Sequence, residues 1–375
     1  MTKLTRKFSK LFLGATIRVA TLALFLAVFG AATAHAQTQA YVTNGYDNSV
    51  TVIDTSTNTV TATIPVGSGP AGIAVTPNGA RAYVANFGGT DVSVIDTASN
   101  TVITTVPLAA TPLGVAVTPN GAFAYVADGD VFGGEVSVID TSTNTVVATI
   151  PVGANPRGIA ITPNGARAYV VNGVDNTVSV IDTATGTVIA TVPVGNSPQD
   201  VTVSPDGAFA YVTNPFDNTL SVIDTATNTV TATPSVGSFP IDIDITPNGA
   251  SGYVSIAGSN AVAVLATASN TVVTTIPVGS NPYGVAVTPD GASVYVVNNS
   301  DATVSVISTA TNTVTATIPT GLVGSGPFYI AFAVRTQGPT DEDQCKNGGW
   351  QTFTNPKFKN QGECVSFVNH MKHSQ

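Results

Sequence analysis

Side chains able to do chemistry are scarce in this chain. Between Gln37 and Gly338 there is no Lys, His, Cys, Met or Trp, and 18 acids face four bases, Arg81, Arg157, Arg167 and Arg335. That inventory removes whole mechanisms. No Ser–His or Cys–His nucleophile pair can be assembled and no Lys can form a Schiff base. Neither His nor Met is present to ligate haem. Carboxylate chemistry remains, with Asp200 and Asp242 as the acids and Arg157 as an electrophile. Four arginines are too few to hold a phosphorylated sugar or to neutralise a run of phosphates, so nucleic acid is not an expected partner. Anionic lipid surfaces are disfavoured for the same reason.

The candidates stand out because the rest of the chain repeats. AYVTN at Ala40–Asn44 returns as YVAN at Tyr83, YVAD at Tyr125, YVVN at Tyr169, YVTN at Tyr211, YVSI at Tyr253 and YVVN at Tyr295, spaced by 42, 42, 44, 42, 42 and 42 residues. A period in the low forties, built of strand-like runs between Gly, Pro and Asn, marks one four-stranded propeller blade per repeat. The predicted fold is all-β, a seven-bladed β-propeller of four-stranded antiparallel blades. Where each inner strand starts, the blades carry Ala71, Leu113, Arg157, Gln199, Ile241, Tyr283 and Phe328. The next position is Gly except at Asp200, Asp242 and Tyr329. In a propeller these segments surround one mouth of the axial channel. Arg157, Gln199, Asp200, Asp242, Tyr283, Phe328 and Tyr329 are therefore the candidate ligand-binding residues. The third repeat is two residues longer at Asp128–Glu135, where Asp128, Asp130 and Glu135 form either a Ca²⁺ site completed by backbone oxygens or an acidic loop. No other cofactor is expected.

Within a repeat, the Thr-Pro-Asn-Gly turns read as tight hairpins, since Pro presets φ at the second position and Gly supplies a positive φ at the fourth. Asp54, Asp96, Asp140, Asp182 and Asp224 open a second turn and are expected to accept its amides rather than form a catalytic ring. The residue at Asn100 is Asn in six repeats and Gly186 in the fourth, which predicts a left-handed backbone there. The last strand of each repeat alternates, as in Thr59–Ile64, with one apolar and one hydroxylated face expected.

The ends differ from the middle. Lys3, Arg6, Lys7, Lys10 and Arg18 precede an apolar run from Val19 to Ala32, and Ala34-His35-Ala36 resembles a cleavage site. Residues 1–36 read as a secretory signal of the general route, the run being short of the ~20 residues that span a bilayer. The repeat region is 37–338. Its first copy lacks an inner strand, and Gly326–Val334 carries the missing pattern, so the end of the chain is expected to complete the first blade and close the ring. Residues 339–375 hold Trp350 and the two cysteines, Cys345 and Cys364. With only His370 and His373 nearby, a disulfide is expected rather than a metal site, contributing roughly 3 kcal/mol if formed.

The tyrosine-centred signature and its period resemble the YVTN family of β-propeller repeats, found in bacterial and archaeal cell-surface and secreted proteins, over nearly all of Gln37 to Gly338. The tail resembles a short segment at the ends of various exported bacterial proteins. The resemblance implies the fold and an exported life but little biochemistry; with the missing catalytic side chains and the variable mouth, the expected protein is a non-catalytic binding scaffold, a monomer at the cell surface, in the periplasm or outside the cell, with a protein, glycan or small molecule as ligand. Seven-bladed lactonases have similar repeats, which makes a carboxylate lactonase one alternative. A structural envelope or surface-layer protein is another.

Overall fold

A computed structural model describes residues 36–321, 326–336, 345–346 and 359–372. The expected signal segment, but for Ala36, and Trp350 lie outside the described residues. Seven four-stranded antiparallel sheets follow one another around a ring. Six of them take their strands in chain order. The first instead pairs Pro327–Thr336 with Ala36–Asn44, followed by Ser49–Asp54 and Thr59–Pro65. One strand from the end and three from the beginning therefore make the first blade, as the incomplete first repeat predicts.

The second strand of each blade is the apolar centre of its sheet. Tyr83, Val84 and Ala85 are wholly buried, as are their counterparts Tyr169, Val170 and Val171. Clusters of buried residues span adjacent blades, for example Tyr41, Val52 and Ile64 with Ile73, Val84 and Ile95. Such burial between sheets needs no charge. The outer strands bury their apolar face only in part. In Thr59–Pro65 the threonines are exposed, while Ala62 is half-buried and Ile64 buried; Ala62 and Val102 pack against the core, and the buried position recurs at Val106, Ile150 and Ile318. An outer strand has no sheet partner beyond it, and its exposed threonines keep that edge soluble.

Turn chemistry accounts for the regularity of the end opposite the mouth. Gly79, Gly121, Gly165, Gly207, Gly249 and Gly291 all have φ near +70°, and Gly79 N donates to Thr76 O at 2.7 Å. Asn58, Asn100, Asn144, Gly186, Asn228, Asn270 and Asn312 all adopt the left-handed conformation. The carboxylates that open this turn accept from its backbone, Ser142 N to Asp140 Oδ1 at 2.8 Å and Thr227 N to Asp224 Oδ1 at 2.8 Å.

The left-handed Asn has a second use. Its side-chain oxygen accepts from the repeat tyrosine of the preceding blade: Tyr41 to Asn100 at 2.7 Å, Tyr83 to Asn144 at 2.7 Å, Tyr169 to Asn228 at 3.0 Å and Tyr253 to Asn312 at 2.8 Å. Tyr295 of the seventh blade reaches Asn58 of the first at 2.5 Å, so the ring-closing seam carries the same bond as four of the others; the remaining two have Gly186 and an Asn270 whose Oδ1 has no partner. Arg81 and Arg167 are also spent at this end, each donating to the backbone carbonyl of a following blade, Thr141 and Thr225. In the tail, Cys345 and Cys364 are disulfide-bonded, and Cys364 lies on the helix Gln361–Lys372. Asn360 Oδ1 caps that helix by accepting from Glu363 N at 2.9 Å.

Candidate ligand site at the channel mouth

At the mouth the inner strands press together. A Cβ on Gly72 would come within 2.3 Å of Leu113 O, and one on Gly114 within 2.1 Å of Arg157 O. No side chain fits there, which is why Gly recurs at this position. The fifth, sixth and first blades carry Asp200, Asp242 and Tyr329 instead. Asp200 also shortens its inner strand to Val201–Val203.

The blade-specific residues form one connected group. Arg157 Nη1 donates to Gln199 Oε1 at 2.5 Å, and Gln199 Nε2 donates to Tyr283 Oη at 3.2 Å. The Tyr283 ring meets Phe328 edge-on at 5.2 Å and Tyr329 at 5.4 Å, and Phe328 meets Tyr46 at 6.0 Å. The guanidinium lies against Gly173, where a Cβ would come within 2.5 Å of Arg157 Nε. All seven mouth residues singled out from the repeats are thus brought to one end of the channel.

Below this group lies a cavity of about 270 Å³ walled by the inner strands, with Asp200, Asp242, Asp244 and Tyr329 among its lining. Each carboxylate is pinned to backbone. Asp242 accepts from Ile243 N at 2.7 Å and, across the seam, from Val285 N at 2.8 Å. Asp244 repeats the arrangement one step deeper with Ile245 N and Val287 N, both at 2.8 Å. Asp200 accepts from Val201 N at 2.8 Å, and its carboxyl is electrostatically coupled to that of Asp242. Of two carboxyls so coupled, one is held well above the usual range. Burial raises both above the ordinary carboxylate range, Asp242 further because the Asp200 charge adds to the burial. Asp244 is pushed up to about 7, chiefly by burial. Asp200 and Asp244 keep part of their surface on the channel, which moderates the cost of ionising them. Burial drives the Tyr283 phenol up to about 12 and Tyr329 well above its usual value, so both rings stay neutral.

The longer third repeat behaves differently from a loop. Its strands extend to Phe123–Asp130 and Gly133–Asp140, so the two extra residues lengthen the hairpin and leave Val131 and Phe132 as the turn. Asp128 is fully buried and faces into the sheet, accepting from Ser137 N and Ser137 Oγ, both at 3.0 Å. It occupies the place of Asn86 and Asn172 in neighbouring repeats, whose Nδ2 atoms donate to Ser93 and Ser179. Burial pushes it up to about 7. Asp130, at the exposed end of the same strand, accepts from Phe132 N at 2.8 Å. Among the described residues no group of three or more His, Cys, Asp or Glu side chains is placed to hold a metal ion.

Comparing the repeats position by position missed two features. Asp244 stands where most other blades carry Ala, as at Ala74, Ala160 and Ala286, and that contrast was available. The aromatic residues of the loops around the mouth, beginning with Tyr46, were hidden because those loops vary from blade to blade.

The family model for the seven-bladed β-propeller lactonases matches residues 115–273. A search of curated protein sequences found no match. Among solved structures, the chain is similar to hydrazine synthase of Kuenenia stuttgartiensis at 26% identity and a TM-score of 0.68, covering 72% of this chain and 92% of that one. It is also similar to a functionally unknown protein from Desulfotomaculum acetoxidans DSM 771 at 19% identity and a TM-score of 0.69, covering 79% and 99%, a likeness of fold alone. The chain is a seven-bladed β-propeller.

Proposed function

We propose that this propeller is an exported, non-catalytic binding scaffold of the YVTN-repeat kind whose recognition element is the channel mouth. One observation carries the reading: the positions at which single blades depart from the repeat meet in one hydrogen-bonded and stacked group, Arg157–Gln199–Tyr283 with Phe328 and Tyr329. A cation, an amide, neutral phenols and two buried carboxyls beside a cavity can orient a small polar ligand or a protruding side chain. Export is supported by the basic and apolar start of the chain and by the Cys345–Cys364 disulfide, which suits an oxidising compartment. We assign residues 1–36 to a signal, 37–338 to the propeller and 339–375 to a tail. The test is a thermal-shift screen of glycans and small polar ligands. A ligand that stabilises the wild type but neither Arg157→Ala nor Tyr283→Ala supports the reading, and one that stabilises all three equally sinks it.

A lactonase-like hydrolase is the second reading, favoured by the partial family match and by the Asp200–Asp242 pair, which holds a proton that could be donated or withdrawn. Against it, both Asp242 oxygens already accept backbone amides, as a structural staple would. Lactone hydrolysis by the wild type that disappears in Asp200→Asn would replace the scaffold reading with this one.

A further inference from the structure

The loops surrounding the mouth carry a feature that meets the mouth network only at Tyr46, which touches Phe328. In five consecutive blades the hairpin loop beside the channel places an apolar side chain at its tip: Tyr46, Phe87, Phe132, Val174 and Phe216. Phe132 is 92% exposed, Tyr46 70% and Phe216 68%. Phe239, entering the sixth blade, stacks edge-on against Phe216 at 5.8 Å. The sixth and seventh blades have Ala257-Gly258-Ser259 and Asn299-Ser300-Asp301 at the corresponding tips. The result is an open crescent of apolar residues on one face.

The tips of the first, fourth and fifth blades are pinned to the next segment of chain. Asn48, Asn176 and Asn218 have left-handed backbones, and their side-chain oxygens accept from Gly69 N, Ser197 N and Phe239 N of the next blade at 2.8, 2.7 and 2.9 Å. Asp175 and Asp217 clamp the same loops through Ala154 N and Asn196 N. Pinned loops that leave their largest apolar side chain in water spend about 25 cal/mol per Å² that a partner would recover.

The charge of the face selects the partner. Asp47, Asp91, Asp130, Glu135, Asp175, Asp217 and Asp301 lie on these loops or the strand residues flanking them, and Arg157 is the one cation among them. Each exposed ring therefore sits close in sequence to a carboxylate, as in Tyr46-Asp47 and Phe216-Asp217. Resting on the reading of this face as an interaction surface, we infer that the crescent docks a cationic polypeptide segment in which Lys or Arg alternates with apolar residues. Its apolar side chains would cover the rings, and its cations would lie between ring faces and carboxylates.

Fluorescence anisotropy with a labelled synthetic peptide alternating Lys and Trp tests this, with Glu–Trp and Lys–Ser peptides as controls. We expect binding of the Lys–Trp peptide alone. It should weaken about tenfold or more in the double variant Phe132→Ser/Phe216→Ser, and weaken with added salt in the wild type but less steeply in Asp47→Asn/Glu135→Gln, where two carboxylates are gone. These side chains are exposed, and a melting curve matching the parent confirms that the variants fold. Equal binding of either control peptide, or a silent Phe132→Ser/Phe216→Ser pair, overturns the proposal. So does sedimentation with phosphatidylcholine vesicles in the absence of peptide binding, which would assign the rings to a membrane. Peptide binding lost in Tyr283→Ala while the Phe pair is silent would leave the mouth reading standing and remove the crescent. Peptide binding that survives Tyr283→Ala but not the Phe pair would do the reverse.

Discussion

The two ends of the propeller are made from the same repeat and obey opposite rules. At the end away from the mouth the blades nearly agree: the left-handed residue is Asn in six and Gly186 in the fourth, and five carry a carboxylate placed to accept turn amides, with Ala266 and Ser308 in the other two. Acids there are held below their usual range by hydrogen bonds: Asp140 first by Ser142 Oγ, Asp182 by Thr185 N and Asp224 by Thr227 N. At the mouth the blades disagree with one another, and burial raises Asp200, Asp242 and Asp244. Positions shared by all blades must satisfy the ring. Positions freed from that demand can hold groups the ring alone would not select, at a cost in stability.

The harshest way to break this comparison is to remove the ring itself. Deleting Gly326 to Gly338 takes away the inner strand of the first blade and the only partner of Ala36–Asn44 on that side. It also uncovers Tyr41, Val42 and Ala40, all wholly buried. The expected result is loss of cooperative unfolding in a denaturant titration, or aggregation. A truncation that melts like the parent would show that closure contributes nothing.

Next in size is the dependence on pH, where the contrast between ends becomes a sign. Asp128 and Asp244 stand near 7 in the folded state against an ordinary value of 3.8. Between those values the native chain keeps protons that the unfolded chain has released, so stability falls as pH rises from about 4 to about 7. Asp140, Asp182 and Asp224 act oppositely: their contribution is present above the ordinary value and is lost as acid takes the pH down through their lowered values. Maximum stability is therefore expected near pH 4, below the common range. Asp128→Asn restores the residue that neighbouring repeats carry and supplies a donor to Ser137 Oγ. It should raise unfolding free energy at pH 8 by about 2 kcal/mol while leaving pH 4 nearly unchanged. Urea midpoints at the two pH values measure both, and an equal change at each would deny that ionisation is the cause.

Much of the fold was legible in the sequence because a repeat reports its own constraints. The Asn/Gly exchange at Gly186 names a left-handed backbone, and the missing first inner strand names the closing segment, since both are local rules. The Tyr–Asn bond across five of the seams was not legible. Its partners lie about 60 residues apart, and each has a sufficient local explanation, the tyrosine as core and the asparagine as turn. At the site, comparing blades brought out the odd residues but not what holds them. That Asp242 is fastened by Val285 N of the next blade follows from how closely two inner strands approach, a distance no pattern encodes. The longer third repeat misled for a related reason: two extra residues read as loop, and became strand because each added backbone group found a partner across the hairpin.

The smallest expected effect is also the sharpest check on the repeated end. Tyr125 of the third blade faces Gly186 rather than an asparagine, so its seam lacks the side-chain acceptor that Asn144 provides to Tyr83. Gly186 has φ +63°, which Asn tolerates, and a Cβ there would meet only Ile150 Cδ1 at 3.8 Å, ordinary van der Waals contact. Gly186→Asn should supply the missing bond and reduce the freedom of the unfolded chain. Together these are worth about 1 kcal/mol, less whatever the left-handed backbone takes from a residue with a side chain. The reverse change, Asn144→Gly, keeps the backbone conformation and removes the bond to Tyr83, so it should lose a comparable amount. Urea midpoints moving in opposite directions for the two variants would show that the seam bond contributes to the ring. A loss in both would mean that the asparagine serves its turn alone.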